Sequence, residues 1–415
     1  MKRFVGSKII HLFSPNINVC YGVGINRSFT TEVIRAAIDA TIIRHPMLLY
    51  TVKADDAGEW FYDDDGMVEI QFLDNNISLS EWYVKNDSIP FDFNRCLVKI
   101  VVFIGDNNTD IMLLGHHILG DGLGFLNVIK DLLTAIDGKL TDEILVVPEN
   151  NFIKNIGSDG FLMELFAKSL NKKWRKSKTQ FSYNEYVELF NNYRNSNPPS
   201  IYLDNILSVD KIHTACKKIG ITVNEAFYQA FVCALNKFGI TKTKFGCAAS
   251  IRNEMQYDVS NTMGNYTTGI MAVIPSPKDA PQKLRDKLRN PKYRYQIIQL
   301  LNLIDRSLIA AVPFAIYDNY NNKTVNRLGA TIGEKNENKS FGITNLGVQQ
   351  FGDYSFNVNI QFICPVFPQN FLTVGIITVN NIAQFTLRYS EKDLTEKQVA
   401  DLFSDVKDYL DSFVR

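Results

Sequence analysis

The sequence predicts an α+β protein made of two lobes, and two observations carry this prediction. The chain has 415 residues, of which 46% are hydrophobic, and this length exceeds the size at which a single hydrophobic core usually stops growing. Each half also contains apolar residues at helical spacing and short strand-like runs bounded by polar turns. We therefore expect each lobe to combine helices with a mostly antiparallel or mixed sheet.

The boundary between the lobes is placed near residue 175, which gives an N-terminal lobe at 1–175 and a C-terminal lobe at 176–415. The segment from 139 to about 200 has mixed character and contains a basic run at 172–178. It also contains a stretch rich in Asn and Pro at 191–199. Such composition is typical of a connection rather than of a regular element.

The first half is predicted to contain a helix, three short strands that form an antiparallel set, a hairpin and a second helix. Thr30 or Thr31 is expected to cap the first helix, which should end near His45 and Pro46. The polar turn at 105–110 joins the two hairpin strands. In chain order these segments are 27–50, 47–52, 59–62, 68–72, 96–104, 111–117 and 123–136.

The second half is predicted to begin with a strand, two helices and a further strand. Thr222 or Asn224 is expected to cap the second helix. A helical zone, several strands and a terminal helix follow, and Asn380 and Asn381 are expected at a hairpin turn. In chain order these segments are 201–209, 210–219, 223–238, 245–251, 283–316, 371–379, 383–389 and 395–413.

Charge and composition exclude several classes of function. Lys plus Arg and Asp plus Glu number 44 each, so no net field would attract nucleic acid or anionic lipid. The six cysteines are scattered without the spacing of a metal site, and we expect a reducing compartment. No signal peptide is evident and no apolar run is long enough to span a bilayer. We therefore expect a cytoplasmic protein.

Two of the five histidines, His116 and His117, are adjacent and lie at the predicted end of a strand. A neutral imidazole can accept a proton from a hydroxyl or amine near neutral pH, and we take His117 as the candidate general base. Neighbouring side chains on a strand point to opposite faces, so the pair is unsuited to ligating one metal ion. The alternative is that both are structural histidines.

The pattern H-H-x-x-x-D-G, which runs from His116 to Gly122 between a strand and a helix, resembles the signature of the CoA-dependent acyltransferase superfamily. That superfamily includes non-ribosomal peptide condensation domains, plant acyl-CoA alcohol acyltransferases, bacterial alcohol acetyltransferases and wax ester synthases. The resemblance implies that His117 is the catalytic base, that Asp121 is structural and that Gly122 permits a tight turn. It also implies two chloramphenicol-acetyltransferase-like lobes arranged as a V with a tunnel between them.

Weaker matches follow in the expected order. Arg252, at the end of a predicted strand, resembles the family Arg that pairs with the motif Asp, and the alternative is a solvated surface charge. Asn265 lies in a segment similar to a Gly-Asn element of the family. Thr344 and Asn345 resemble part of a Ser-Asn-x-Gly stretch, which makes them candidate donors to an oxyanion. Their alternative role is to cap a turn.

The resemblance implies direct transfer of an acyl group from acyl-CoA to a small-molecule hydroxyl or amine acceptor, with no bound cofactor. No Gly-rich loop for ATP or NAD is present. The basic segments 172–178 and 283–289 could bind the phosphates of CoA, or could be solvated helix faces. The plant-type Asp-Phe-Gly-Trp-Gly segment is missing from the sequence, which favours the bacterial alcohol acetyltransferase or condensation-like branches.

Two alternatives stay open. One is a condensation-like enzyme that takes its acyl group from the phosphopantetheinyl thioester of a carrier protein. The other is a non-catalytic binding module that keeps the fold.

Overall fold

The computed structural model describes residues 3–55, 59–73, 77–146, 160–206, 208–240, 244–274, 276–333, 340–366 and 370–414. Within these ranges the strands form a three-stranded, a five-stranded and a six-stranded sheet, with helices packed around them. The α+β class predicted from the sequence is confirmed.

The elements of the first half begin with a two-residue strand and a 3-10 helix, Gly6–His11. A second 3-10 helix, Pro46–Leu49, follows α1. The elements are β1 (Arg3–Phe4), β2 (Asn18–Ile25), α1 (Thr31–Arg44), β3 (Thr51–Ala54), β4 (Trp60–Asp63), β5 (Met67–Leu73), α2 (Leu79–Asp87), β6 (Cys96–Ile104), β7 (Thr109–His116), α3 (Gly122–Ile136), α4 (Phe161–Trp174) and α5 (Tyr183–Ser196).

The second half has two further short 3-10 helices, Arg252–Glu254 and Pro277–Asp279. Its other elements are β8 (Ser200–Ile206), α6 (Val209–Lys218), α7 (Val223–Lys237), β9 (Lys244–Ser250), β10 (Thr267–Val273), α8 (Ala280–Arg289), α9 (Pro291–Leu303), α10 (Arg306–Ala310), α11 (Val312–Tyr317), α12 (Lys323–Ile332), β11 (Ser340–Val348), β12 (Val358–Ile363), β13 (Asn370–Val379), β14 (Ile382–Tyr389) and α13 (Glu396–Val414).

Local signals explain where several helices begin. Thr30 caps α1, because its hydroxyl accepts a hydrogen bond from the backbone of Val33. Helices α2, α5 and α7 each begin with a reciprocal capping box, in which a Ser or Thr and a Glu three residues later bond each other's backbone. The three pairs are Ser78 with Glu81, Ser182 with Glu185 and Thr222 with Glu225.

The five-stranded sheet has the order β12-β2-β7-β6-β5, so β7 is its central strand. Strands β6 and β7 form the predicted antiparallel hairpin, and β7 also pairs antiparallel with β2. The six-stranded sheet has the order β10-β9-β11-β13-β14-β8 and mixes parallel with antiparallel pairs. The last residue of β7 is therefore held at the end of a well-paired central strand.

The predicted antiparallel set of three short strands is wrong in one member. Strands β3 and β4 do pair antiparallel, but their third partner is β1. Strand β5 instead joins the five-stranded sheet and lies parallel to β6. Strands β5 and β6 can lie parallel because the chain between them contains α2 and is long enough for the crossover that a parallel pair requires.

Two hydrophobic cores divide the described residues. The first core lies against the five-stranded sheet and includes α5, α9 to α12 and β12. The second lies against the six-stranded sheet and includes α6, α7 and α13. Residues 197–199 follow α5 and lead into β8. The division of the chain into lobes 1–175 and 176–415 stays a prediction. Helices α9 to α12 and strand β12, which all lie after residue 290, pack in the first core.

Among the described residues, no single helix is long and apolar enough to span a membrane. The helices Arg294–Leu303 and Arg306–Tyr317 have the required length and composition only when taken together, and the angle between them is 118°.

Candidate active site at the end of strand β7

The histidine pair lies where the chain passes from β7 to α3. His116 is the last residue of the strand, and Asp121 is the N-cap of the helix, with its carboxylate accepting a 2.7 Å hydrogen bond from the Gly124 backbone. Between them, Ile118 and Leu119 are buried. These two apolar side chains anchor the loop, so the loop holds its polar residues in fixed positions.

His116 points into the first core. Its ring is 1% exposed and packs edge-on against Phe91 and Phe93, with ring centroids 6.0 and 5.7 Å away. Its Nδ1 accepts a 3.2 Å hydrogen bond from the backbone of Ile118, and its Nε2 is buried without a partner among the described residues. Burial lowers the pKa of this imidazole to about 3. His116 is therefore neutral and lies away from both cavities described below.

His117 has the opposite orientation and a defined tautomer. Its Nδ1 lies 2.7 Å from the carbonyl oxygen of Gly120, which can only accept, so Nδ1 carries the proton. The amide nitrogen of Asn265 donates to the backbone oxygen of His117 at 3.0 Å; its 3.3 Å approach to Nδ1 is then a close contact rather than a hydrogen bond. The other ring nitrogen, Nε2, is left unprotonated, and none of the described residues forms a hydrogen bond with it.

Burial lowers the pKa of His117, and the nearby Lys8 ammonium lowers it further. The hydrogen bond to Gly120 and the Asp121 carboxylate oppose this shift without cancelling it. A second imidazole, that of His11, stacks on His117 with ring centroids 5.0 Å apart. Burial, together with His117 and Lys8, lowers the pKa of His11 well below its ordinary value. Both rings are therefore neutral at neutral pH.

Asp121 and Arg252 form a buried ion pair, 2.7 Å from Nη2 to Oδ1. The second carboxylate oxygen accepts hydrogen bonds from the Tyr266 backbone at 2.8 Å and from the Thr267 hydroxyl at 2.9 Å. Burial alone would raise the pKa of Asp121, but the guanidinium and these donors lower it below its ordinary value. The carboxylate is thus charged, and both of its oxygens accept hydrogen bonds.

Arg252 follows β9 and spans the junction between the two sheets. Its Nη1 donates to the backbone oxygens of Val259 and Thr262 at 2.5 and 3.0 Å, and its Nη2 also reaches Gly264 O at 3.1 Å. The side chain is buried and lies over the ring of Tyr266, 4.8 Å from its centroid. Arg252 therefore fixes the segment 259–266 against the start of α3.

The φ of Gly122 lies outside the left-handed region, and the tight turn that the resemblance implies for this residue stays a prediction. Close packing also favours glycine here, since a Cβ would lie 3.0 Å from Leu346 and 3.1 Å from Phe362. Gly124 is more constrained, because a Cβ would lie 2.8 Å from the backbone oxygen of Gly264. The first turn of α3 thus contacts neighbouring chain segments too closely for larger residues.

Two cavities meet at His117. The first has a volume of about 890 Å³ and the second of about 680 Å³, both are mostly apolar, and both open to solvent. His11, His117 and Thr267 line both. The first is also lined by Ser7, Lys8, Ile10, Asn265, Thr268, Gly269, Ile270, Met271, Ile297, Ile298, Leu301, Ile332 and Gly333, and the second by Ile17, Asp121, Gly122, Leu123, Ala248, Ser250, Thr344, Asn345, Leu346, Phe362, Pro365 and Val366.

The remaining predicted residues divide between these cavities. Asn265 lines the first cavity, where its Oδ1 accepts a 3.0 Å hydrogen bond from Lys8. Thr344 and Asn345 line the second, although Asn345 also donates to Asn224 at 3.1 Å and accepts from the Gly347 backbone at 2.8 Å. Of the described residues in the basic segments 172–178 and 283–289, none lines either cavity.

Lys8 and His11 are site residues that sequence reasoning missed. Both belong to the 3-10 helix Gly6–His11, more than 100 positions before His117. The scarcity of histidine was the one available signal for His11, and Lys8 is one of 44 Lys and Arg residues with nothing to mark it. In the part of the chain that the structure describes, no group of three or more His, Cys, Asp or Glu side chains is arranged to hold a metal ion.

Comparison with known proteins gives the fold. No family model matches the chain, and no curated protein matches it. Solved structures do match over nearly their full lengths. A trichothecene 15-O-acetyltransferase from Fusarium sporotrichioides superposes with a TM-score of 0.64 at 14% identity, covering 99% of this chain and 95% of that one.

Two further structures show the same architecture. The starter condensation domain of rhizomide synthetase, in a mutant complexed with C8-CoA, has a TM-score of 0.59 at 10% identity and covers 99% and 94% of the two chains. An epimerization domain of tyrocidine synthetase B has a TM-score of 0.59 at 14% identity and covers 96% and 92%. The chain therefore has the two-lobed condensation and acyltransferase fold that its histidine motif suggested.

Proposed function

We propose that this protein is an acyltransferase that moves an acyl group from an acyl-CoA thioester to a hydroxyl or amine acceptor, with His117 as the general base. The observation that carries the proposal is the free Nε2 of a neutral imidazole at the place where two cavities meet. A direct transfer needs two substrates to reach one base from two sides. The separate cavities supply that geometry.

In the proposed step, Nε2 of His117 takes the proton of the acceptor O–H or N–H while the acceptor atom forms a bond to the thioester carbonyl carbon. The resulting tetrahedral oxyanion collapses, the C–S bond breaks, and the imidazolium returns its proton to the leaving thiolate. No acyl-enzyme forms. The hydrogen bond from Nδ1 to Gly120 keeps the ring in the required tautomer throughout.

The oxyanion needs a hydrogen-bond donor, and Thr344 is our first candidate because it lines the second cavity. Asn345 is a weaker candidate, since its amide already donates to Asn224. This assignment places the thioester carbonyl, and hence the donor, in the second cavity, and leaves the first cavity to the acceptor.

CoA is the preferred donor because a protein of this fold forms a complex with C8-CoA and another is an acetyltransferase. A carrier-protein thioester is the second candidate, because the fold also occurs in condensation domains of peptide synthetases. A binding module without catalytic turnover is the third candidate function. The tautomer of His117, with Nε2 unprotonated, and the ion pair of Asp121 with Arg252 argue against a site that has lost its catalytic residues.

The test is release of free thiol from acetyl-CoA and octanoyl-CoA in the presence of a panel of alcohols and amines. Wild type should release thiol in an acceptor-dependent manner, and His117→Ala should lower kcat by about 10² to 10⁴. His213→Ala is the matched control, because His213 is exposed on α6 and should leave the rate unchanged.

Three outcomes separate the candidates. Release only from a loaded carrier protein would identify a condensation-like enzyme, and no release with any donor would favour the binding module. A His117→Ala variant with the wild-type rate would remove the general-base mechanism.

A further inference from the structure

We infer that the first cavity binds the acceptor through a carboxylate, and that the ammonium of Lys8 is the group that holds this carboxylate beside an apolar body. The inference rests on the proposed function, because it names the acceptor of that same reaction. It identifies the acceptor class as hydroxy acids or amino acids that carry an apolar side chain.

Lys8 lies in the wall of the first cavity with neutral partners. Its Nζ donates to the side-chain oxygen of Asn265 at 3.0 Å and to the backbone oxygen of Thr267 at 3.1 Å. An ammonium has three donors, so one N–H is left over. Among the described residues no carboxylate forms an ion pair with Lys8, unlike Lys53, Lys139 and Lys407.

The nearest negative charge does not fill this need. Asp121 attracts the ammonium at a distance, but its two oxygens are already bonded to Arg252 and three other donors. Lys8 is partly buried and has no counter-ion among the described residues, and the loss of solvation lowers its pKa to about 8. A carboxylate bound in the cavity would supply the missing charge and accept the third N–H.

Much of the remaining wall is apolar. Ile10, Ile270, Met271, Ile297, Ile298 and Leu301 line the same cavity and provide a surface for an aliphatic or aromatic body. One cationic group in such a surface is the arrangement that recognises an amphipathic anion, because the apolar lining gives affinity and the single charge fixes orientation.

Asn265 couples this anion site to the base. Its carboxamide accepts from Lys8 at one end and donates to the backbone of His117 at the other. One carboxamide group therefore lies between the Lys8 ammonium and His117, with contacts of 3.0 Å to the ammonium and 3.3 Å to the imidazole. A hydroxyl or amine a few bonds from the carboxylate would then reach Nε2, as in a short hydroxy or amino acid.

Calorimetric titration of the full chain with octanoate and with octanamide tests the anion site without requiring turnover. The two probes differ in charge but share one apolar body. Wild type should bind octanoate at least about tenfold more tightly, the effect of one charge-assisted hydrogen bond. Lys8→Met should lose this preference, and Lys8→Arg should retain most of it. Lys168→Met, at an exposed lysine of α4, should behave as wild type.

Equal binding of the two probes to wild type would overturn the inference, as would a Lys8→Met variant that still preferred octanoate. If Lys8→Met fails to fold by circular dichroism, the wild-type preference and the Lys8→Arg variant decide the matter.

Kinetics then link the site to the reaction. With 2-hydroxy acids as acceptors, Lys8→Met should raise KM by about tenfold, because the variant loses the same charge-assisted hydrogen bond that the octanoate titration measures. The change in kcat should be smaller. If the protein releases thiol only with neutral alcohols and shows no preference for octanoate, the inference is wrong and the proposed function stands. If the protein prefers octanoate but releases no thiol with any acceptor, the proposed function is wrong and the carboxylate site stands.

Discussion

His116 and His117 are adjacent in sequence and have opposite environments. His116 faces Phe91 and Phe93 inside the first core, whereas His117 faces the cavities. The cause is the alternation of side chains at the end of a strand. A pair of histidines in this position therefore supplies one packed ring and one ring that substrate can reach.

The pH dependence of the reaction should reflect His117. Burial lowers the pKa of this imidazole below its ordinary 6.5, so the ring is neutral and competent above that value. We expect kcat/KM to fall at acidic pH, with the midpoint of this fall below pH 6.5. Stopped assays of thiol release across pH 4.5 to 7.5 check this. An acidic limb centred above 6.5 would contradict the buried neutral base.

His116 should affect stability against acid more than catalysis. Its folded pKa is about 3 and its ordinary value is 6.5, so the unfolded chain binds a proton that the folded chain excludes. Stability from this ring is complete above pH 6.5 and is lost as the pH falls towards 3, by up to about 1.4 kcal/mol per pH unit. In urea titrations at pH 7 and 5, His116→Leu should lose less stability than wild type over that interval.

Some residues of the site can be predicted from the sequence and others cannot. His117, Asp121 and Arg252 are predicted from short motifs, because the residues next to them in the sequence form a recognisable pattern. Lys8 and His11 are not predicted, since only the fold brings the 3-10 helix Gly6–His11 to the end of β7. A residue whose role depends on a distant partner leaves no local pattern.

Helix α3 begins at a rigid point. Asp121 caps it, Arg252 bonds the cap, and Gly124 fits against the backbone of Gly264. The favourable charge at a helix N-terminus adds to the ion pair. The start of α3 therefore fixes the loop that carries His117, and through the 3.1 Å hydrogen bond from Asp121 N to Gly264 O it also fixes the approach to Asn265.

Asp121→Asn should weaken both the fold and the site. The substitution leaves Arg252 buried without a counter-charge, which costs about 3 kcal/mol or more in unfolding free energy. It should also lower kcat, because the loop from 117 to 121 loses its anchor. Urea unfolding followed by tryptophan fluorescence measures the first effect, and thiol release measures the second. A variant of unchanged stability would show that the pair is not needed to hold the loop.

Capping signals show both the reach and the limit of element prediction. The structure identifies Thr222 as the cap of α7, one of the two residues expected there, and the predicted strands 245–251, 371–379 and 383–389 agree with β9, β13 and β14 within one residue at each end. A Ser-x-x-Glu capping box opens α2 and α5, two helices that are not predicted from the sequence. Each of these helices buries apolar residues at helical spacing, and packing against the rest of the protein stabilises them. The buried residues are Leu79, Trp82 and Tyr83 in α2 and Tyr186, Leu189 and Phe190 in α5.

A buried charged cluster connects the two cores. Asp87 ends α2, and its carboxylate accepts from Arg388 of β14 at 2.7 Å, from Asn18 at 2.8 Å and from Arg194 of α5. Asp87 is fully buried and Arg388 is 3% exposed. Because α2 and α5 pack in the first core and β14 in the second, this cluster holds the lobes together through one carboxylate.

Asp87→Asn should therefore destabilise the protein strongly. It leaves two buried guanidinium groups around a neutral amide, and breaking a buried pair in this way costs about 3 to 5 kcal/mol. Urea unfolding measures the loss. Asp405→Asn is the matched control, because it removes a carboxylate from the exposed pair with Lys237 and should leave the midpoint unchanged. Equal midpoints for the two variants would remove the role of the cluster.

Strand β12 has a consequence for how the protein is made. This strand, residues 358–363, pairs with β2 and closes one edge of the five-stranded sheet. During synthesis, β2 leaves the ribosome more than 300 residues earlier and waits with unpaired backbone groups at an exposed edge. The five-stranded sheet therefore begins to form early in synthesis but lacks its last strand until β12 is made. A chain that ends before β12 would expose the edge of β2 and would tend to associate with its copies through that edge.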